Sequence, residues 1–214
     1  MSLLLFIVFL AATFLWAGIP TGYLAVRILK KEDIRKTGSG NIGATNVKRI
    51  LGWGGFVLVL LLDAVKGALP LVVWLILNGA AFPASGLKEV LIAAATISGN
   101  IFSPWLGFKG GKGIATSLGC LAVLCPLPLC AAAVVFFSVL ALFNFVSLAS
   151  IAAVGLLPLI VFGFQRWRFT PEGIPLIAFA ILIALLIIVR HRENIVRLAR
   201  GEEHKFFIKK QRNT

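Results

Sequence analysis

Leu118–Gln165 reads LGCLAVLCPLPLCAAAVVFFSVLALFNFVSLASIAAVGLLPLIVFGFQ, 48 consecutive residues without a charge. A helix that crosses a bilayer needs about 20 apolar residues, with a lower limit near 17. The stretch therefore holds two comfortable spans or three short ones. Turn signals stand at Cys125-Pro126-Leu127-Pro128 and around Asn144 to Ser147.

The flanking sequence adds four further candidates. Met1 to Val26 has no charge, is too long for a signal-peptide core and lacks a basic start, so it is expected to be a retained span. Gly54 to Leu77 is apolar apart from Asp63 and Lys66. Val90 to Leu106 is uncharged, and so is Ile174 to Val189, which precedes a basic tail.

Charge decides how many spans the long stretch holds, because cytoplasmic loops collect Lys and Arg. Three short spans make seven in all. With the N-terminus outside, 17 of the 21 Lys and Arg then fall on the inner side, in Arg27–Arg49, Lys109–Lys112 and Arg190–Arg212. Lys88, Arg166 and Arg168 fall outside. Two spans in the stretch would flip the last segments and split the charges 11 to 9, which is almost no bias. The expectation is an all-α polytopic membrane protein of seven transmembrane helices, several of them short, with a cytoplasmic C-terminus and residues 1–214 forming one integral-membrane domain.

Composition agrees. Hydrophobic residues make up 59% and charged residues 14%, and the mean hydropathy is +0.99. Soluble domains carry about 25% charged residues, so too little charge is present to cover a water-facing surface. The net charge of +13 is largely a topology signal. Nucleic-acid binding fits poorly, because the basic residues lie in short pieces between apolar spans. Cys120, Cys125 and Cys130 are spaced by five and share no helix face, so inert thiols at lipid level are expected.

Five polar motifs interrupt this background. The first is Gly38-Ser39-Gly40-Asn41-Ile42-Gly43-Ala44-Thr45-Asn46, followed by Lys48 and Arg49. Glycines let backbone N–H groups approach an anion, Ser39, Asn41, Thr45 and Asn46 add donors, and Arg49 can clamp phosphate in a bidentate way. A flexible connecting loop is the plain alternative. The second is Phe108-Lys109-Gly110-Gly111-Lys112-Gly113, two lysines among glycines opening a span, which suits a phosphate at a helix N-terminus. It is not a P-loop, since Gly113 follows Lys112 where a Mg²⁺-binding hydroxyl would be needed. A basic turn obeying the positive-inside rule would look similar.

The third motif is Asp63-Ala64-Val65-Lys66-Gly67, whose Asp and Lys share a helix face at i, i+3 and can pair. Charged groups inside a span are costly and point to function or its structural support. The fourth is Arg190-His191-Arg192-Glu193-Asn194 at the end of the last span. Neighbouring cations favour neutral His191, able to accept a proton or hydrogen bond. A snorkelling basic anchor is the alternative. His204, in Glu202-Glu203-His204-Lys205, is expected in a solvated tail. The fifth is Ser147-Leu148-Ala149-Ser150, whose serines can equally bond to the backbone. In the seven-span arrangement all five gather at one membrane face. No HxxxxD, GxSxG or HExxH motif and no metal-ligand set is visible in the sequence, so no metal or cofactor is expected.

Taken together, SGNIGATN, the Asp63–Pro70 DxxKGxxP pattern, FKGGKG, SLAS and RHREN resemble the motifs of the membrane-embedded bacterial glycerol-3-phosphate acyltransferases that use acyl-phosphate, the PlsY family. The resemblance covers essentially the whole chain in the same order. It implies a multi-pass enzyme of the bacterial inner membrane whose site faces the cytoplasm. That enzyme would move an acyl chain from acyl-phosphate to the 1-hydroxyl of sn-glycerol 3-phosphate, giving 1-acyl-glycerol 3-phosphate (lysophosphatidate) and phosphate, an early step of phospholipid synthesis. Its partners would be those substrates, membrane lipid and an upstream enzyme that makes acyl-phosphate.

By that resemblance, His191, Lys112 and Ser147 are the expected catalytic residues. Ser39, Gly40, Asn41, Gly43, Thr45, Asn46, Arg49, Lys109, Gly110, Gly111, Gly113, Arg190, Arg192 and Asn194 are expected to bind substrate. Asp63, Lys66, Asn100 and Ser150 are expected to support the site. There is one departure. The family's GHxxP is here Gly99-Asn100-Ile101-Phe102-Ser103-Pro104, and Asn cannot act as a general base near neutral pH. Either that histidine is structural in the family or this chain is less active. A phosphate-ester transporter and a weakly active paralogue with a binding role are the two alternatives.

Overall fold

Pro126 divides the long uncharged stretch. The residue before a proline is pushed out of the helical region, and Cys125 is extended at φ −153° and ψ 73°. A helix α5, Ile114–Leu124, therefore stops there, and Pro126 occupies the first turn of α6, Pro126–Phe143. Asn144 ends α6 in the left-handed region at φ 63°, a conformation Asn tolerates better than most residues. Helix α7, Val146–Gln165, follows. Three helices thus share the stretch, but the expected shortness is not spread over all three. α6 and α7 have 18 and 20 residues; α5, with 11, is the short one.

The computed structural model describes residues 2–79, 82, 86–165 and 173–207. Arg166, Arg168, Lys209, Lys210 and Arg212, used above in counting charge, lie outside these. The remaining helices are α1 (Leu3–Gly18), α2 (Thr21–Lys30), α3 (Ala44–Asn78), α4 (Leu87–Ile101), α8 (Ile174–Arg190) and α9 (Arg192–Ala199). Short 3-10 turns sit at Ile34–Lys36 and Pro104–Leu106, and no strand occurs among the described residues.

The first apolar segment is long and apolar enough for the expected span, with a break at Ile19-Pro20 between α1 and α2. The second starts ten residues earlier than expected, at Ala44, with Gly52 at φ 71° interrupting the helix. Four helical stretches are long and apolar enough to cross a membrane: Leu3–Lys30, Ala44–Asn78, Pro126–Phe143 and Val146–Gln165. A fifth is α8 with α9, bent by 58° at His191. Helices α4 and α5, at 15 and 11 residues, fall below the usual length.

The interior is apolar and tight. Leu71, Ile92, Ile97, Leu124, Leu157, Ile183 and Ile187 are fully buried between α3, α4, α5, α7 and α8. Small residues let α3 and α5 touch backbone to backbone: a Cβ on Gly67 would lie 2.1 Å from the Thr116 carbonyl oxygen, and one on Gly119 only 1.9 Å from that of Ala64. Lipid tails provide no hydrophobic drive between helices, so such close contact is the main source of association. Leu61, Val65, Val134, Phe137, Leu142, Leu159 and Leu185 are exposed on the outside of the bundle. In water so many would be a liability; facing hydrocarbon they are solvated.

Asp63 and Lys66 pair as expected, at 2.7 Å. Their partners were not legible in the sequence. The Thr21 hydroxyl donates to Asp63 at 2.5 Å, and Lys66 Nζ donates to the Ile19 carbonyl at 2.9 Å. The buried pair therefore stabilises the break between α1 and α2, supplying a donor where Pro20 prevents a continuous helix.

Candidate active site

Four of the five motifs meet at one end of the bundle, while Asp63 and Lys66 bond at the α1–α2 break. The Lys109–Gly113 loop joins α4 to α5 and sits against the α8–α9 junction. Arg190 Nη2 donates to the Gly110 and Gly111 carbonyls, both at 3.3 Å. Lys112 Nζ donates to Asn194 Oδ1, in the first turn of α9. Asn194 Nδ2 in turn donates to Glu203 Oε1 at 2.7 Å, and the Ser147 hydroxyl donates to the same oxygen at 2.9 Å. Glu203 Oε2 accepts from Arg197 Nε at 2.8 Å. Lys112, Asn194, Glu203 and Ser147 thus form one hydrogen-bonded chain across the α4–α5 loop, α9, the tail and α7.

Glu203 was not anticipated. His204 beside it is solvent-exposed as expected, but the Glu203 side chain turns inward. Burial alone would raise its pKa; hydrogen bonds from Arg197, Asn194 and Ser147 outweigh this and keep it below the usual carboxylate range. Its negative charge also acts on Arg49 and Lys112, which connects the glycine-rich loop of the first motif to the same site. The available sequence signal was faint: one of only eight acidic residues, just past Gly201 in a basic tail.

Lys112 is mostly buried. Burial pushes its pKa down to about 8; Glu203 opposes the shift and Arg197 adds to it. His191 is also buried, at 2% exposure. Its Nδ1 lies 2.8 Å from the Ile187 carbonyl. A carbonyl only accepts, so Nδ1 carries the proton and Nε2 holds the lone pair.

The glycines of FKGGKG do a different job from the one expected. The N–H of Gly110 donates to the Ile101 carbonyl and that of Gly111 to Asn100, both at 3.0 Å. Those two donors are thereby engaged by α4 and do not face an anion. A Cβ on Gly110 would lie 2.1 Å from the Asn100 carbonyl oxygen, so glycine is required by close approach to α4. The donors left for an anion are the ammonium of Lys112 and the N–H groups in the first turn of α5, which have no intrahelical partners. Gly113 caps that helix at φ 81°.

Asn46, expected to touch substrate, is 2% exposed and its side chain organises its own loop. Its Nδ2 donates to the carbonyls of Ile34, Thr37 and Asn41, and its Oδ1 accepts from the Ser39 N–H and Arg49 Nη1. The Asn41 side chain closes a local turn by accepting from the Gly43 N–H at 2.9 Å. These bonds tie Ser39 and Arg49 to Asn46 and bring Gly38 against the Arg49 side chain. Arg49, Lys109 and Arg192 are exposed at the same end, while Ser150 is buried one turn along α7 from Ser147. Arg190 is engaged with loop carbonyls and so shapes the site. Asn100 is 7% exposed, and its carbonyl anchors Gly111. No group of His, Cys, Asp or Glu able to hold a metal occurs among the described residues.

Comparison with known proteins fits this geometry. The family described as glycerol-3-phosphate acyltransferase matches residues 7–201. A glycerol-3-phosphate acyltransferase of Desulforudis audaxviator is 43% identical over 211 residues, covering 98% of this chain and all of that one. One of Syntrophotalea carbinolica is 40% identical over 201 residues, covering 94% and 97%. Among solved structures, the glycerol 3-phosphate form of PlsY, an integral membrane glycerol 3-phosphate acyltransferase, superposes with a TM-score of 0.84 at 34% identity, covering 94% of this chain and 96% of the other. Its lysophosphatidic acid form gives 0.81 at 33% identity, covering 94% of each.

Proposed function

The chain belongs to the glycerol-3-phosphate acyltransferase family, and from that premise we propose that it transfers an acyl chain from acyl-phosphate to the 1-hydroxyl of sn-glycerol 3-phosphate. The observation that carries this reading is the arrangement of Lys112, the first turn of α5, Arg49, Ser147 and His191 around one end of a lipid-facing bundle. The set is rich in phosphate-binding groups, and although the Ser147 hydroxyl donates to Glu203, this reading gives the protein no nucleophile of its own.

Acyl-phosphate is already activated, so none is needed. The acceptor hydroxyl oxygen forms a bond to the acyl carbon, the carbon–oxygen bond to phosphate breaks, and phosphate leaves with the electron pair. The site places the reacting atoms about 3–3.5 Å apart and stabilises charge on the departing phosphate. Lys112 and the α5 N-terminus take the second task. Ser147 and the Nε2 of His191 orient the acceptor. Asn194 and Glu203 hold Lys112 and Ser147 in register. A phosphate oxygen of bound substrate takes the hydroxyl proton, and the acyl chain enters from the lipid.

The bundle as a whole is read as one domain of seven spans: α1–α2, α3, α4, α5, α6, α7 and α8–α9. The N-terminus lies outside and the site faces the cytoplasm of a bacterial inner membrane. Purified protein given both substrates should release phosphate and form 1-acyl-glycerol 3-phosphate in equal amounts. Counterflow of glycerol 3-phosphate in liposomes without product would instead identify a transporter. For topology, an impermeant thiol reagent on intact cells should label a cysteine at Lys88 and spare one at Lys109; the reverse pattern would overturn the orientation.

A further inference from the structure

The chain beyond α9 leaves the helix at Gly201, φ 71°, and runs without regular structure from Glu202 to Phe207. Chain ends of this kind fluctuate unless they are tied down. This one is tied at two separate elements. At the α6–α7 turn, Asn144 grips it three times: the Phe206 N–H donates to the Asn144 carbonyl at 2.8 Å, the Phe207 N–H to Asn144 Oδ1 at 2.8 Å, and Asn144 Nδ2 to the Phe207 carbonyl at 2.9 Å. At the start of α3, Lys48 Nζ donates to the Phe206 carbonyl at 2.7 Å. The same ammonium lies 3.7 Å from the Phe206 ring centre and 3.8 Å from that of Trp53. The Phe206 ring packs 5.3 Å from Trp53 and 5.5 Å from Phe56.

We propose that Lys48, Asn144 and Phe206 are positioning residues that strap Glu202–Phe207 across the site and so hold the Glu203 carboxylate on Ser147 and Asn194. Two geometric facts carry this. Phe206 is three residues from Glu203, and three residues reach about 10–11 Å at most, so fixing Phe206 confines Glu203 to the site. Asn144 is three residues from Ser147 in the same turn, so the anchor and the serine it serves move as one body. The strap bears on Lys112 through Asn194, which Glu203 orients. Lys48 and Asn144 themselves have no role in the chemistry proposed above, and the inference rests on that reading of the site.

The test uses the full-length protein in lipid nanodiscs with acyl-phosphate and glycerol 3-phosphate. Asn144→Gly removes the side-chain grip yet keeps the turn, since glycine is at ease at φ 63°. The KM for glycerol 3-phosphate should rise about tenfold with a smaller change in kcat, as misplacement of binding groups predicts, and without loss of thermal stability. Asn144→Asp, which keeps an acceptor for the Phe207 N–H, should recover part of the loss. Hydrogen exchange at the Phe207 amide should quicken in Asn144→Gly. In a Glu203→Gln background, Asn144→Gly should add nothing further, because the strap acts through that carboxylate. An unchanged KM in Asn144→Gly, or effects that multiply in the double variant, would overturn the strap while leaving the proposed function standing. A wild-type protein with no acyltransferase activity would instead overturn the proposed function and the strap's role with it.

Discussion

Lys112 is the residue on which the site's electrostatics turn, and its burial sets a measurable quantity. Lowering its pKa from 10.5 to about 8 means that keeping it charged in the empty site costs about 3 kcal/mol near neutral pH. The folded value lies below the unfolded one, so this cost is present in full below pH 8. It disappears as pH rises from about 8 to 10.5, and over that window this group makes the empty protein more stable. A bound phosphate reverses the preference, because its charge favours the ammonium. Phosphate's own second ionisation lies near pH 6, so between pH 7 and 9.5 Lys112 dominates. The KM for acyl-phosphate, whose phosphate Lys112 receives, should be flat to about pH 8 and then rise by up to about tenfold per pH unit, one proton being taken up with the ligand. Lys112→Met removes both the cost and the ligand. Its empty form should unfold no more easily than wild type, while kcat/KM falls by about 10²–10³, the loss seen when one preorganised donor to developing charge is removed. Steady-state kinetics across pH, with thermal unfolding of both proteins, measures all of this. A KM independent of pH to 9.5, or near-normal turnover by Lys112→Met, would refute the assignment.

Three further substitutions test the frame. Lys66→Met leaves Asp63 buried without its cation and the Ile19 carbonyl with only the Thr21 N–H as donor, and should destabilise the protein by about 3–5 kcal/mol in thermal or denaturant unfolding; a loss under about 1 kcal/mol would mean that the pair does not hold the α1–α2 break. Gly110→Ala drives a Cβ to 2.1 Å from the Asn100 carbonyl oxygen and should cost most of the activity by displacing Lys112; an unimpaired rate would mean that the loop does not pack on α4 as described. Asn100→His should change the rate little, because the position acts through its backbone carbonyl, and a large gain in rate would show that asparagine impairs the natural protein.

Much of the bundle was legible because lipid imposes simple rules. Uncharged length marks helices, Pro126 and Asn144 mark where they end, and the spacing of Asp63 and Lys66 announces their pairing. The lengths were less legible. Charge balance counts crossings but does not apportion residues, so it could not assign the shortness to α5 alone. Pro20 alone did not announce a helix break that is stabilised by residues more than 40 positions away. The site was legible as five motifs but not as a network. Lys112 and Asn194 are 82 residues apart, and Ser147 and Glu203 are 56 apart, so no local pattern joins them. Gly110 and Gly111 misled for a physical reason. Glycine serves close approach to any backbone, and here the backbone is α4.

The central claim is that this site uses a phosphate-activated acyl donor. The direct measurement offers purified protein glycerol 3-phosphate with acyl-phosphate, acyl-CoA or acyl-carrier protein as donor, each at matched chain length, and follows 1-acyl-glycerol 3-phosphate. If, as proposed, Lys112 and the first turn of α5 receive a departing phosphate, acyl-phosphate should support turnover with release of one phosphate per product while the two thioesters give little. Efficient turnover with a thioester and none with acyl-phosphate would contradict it.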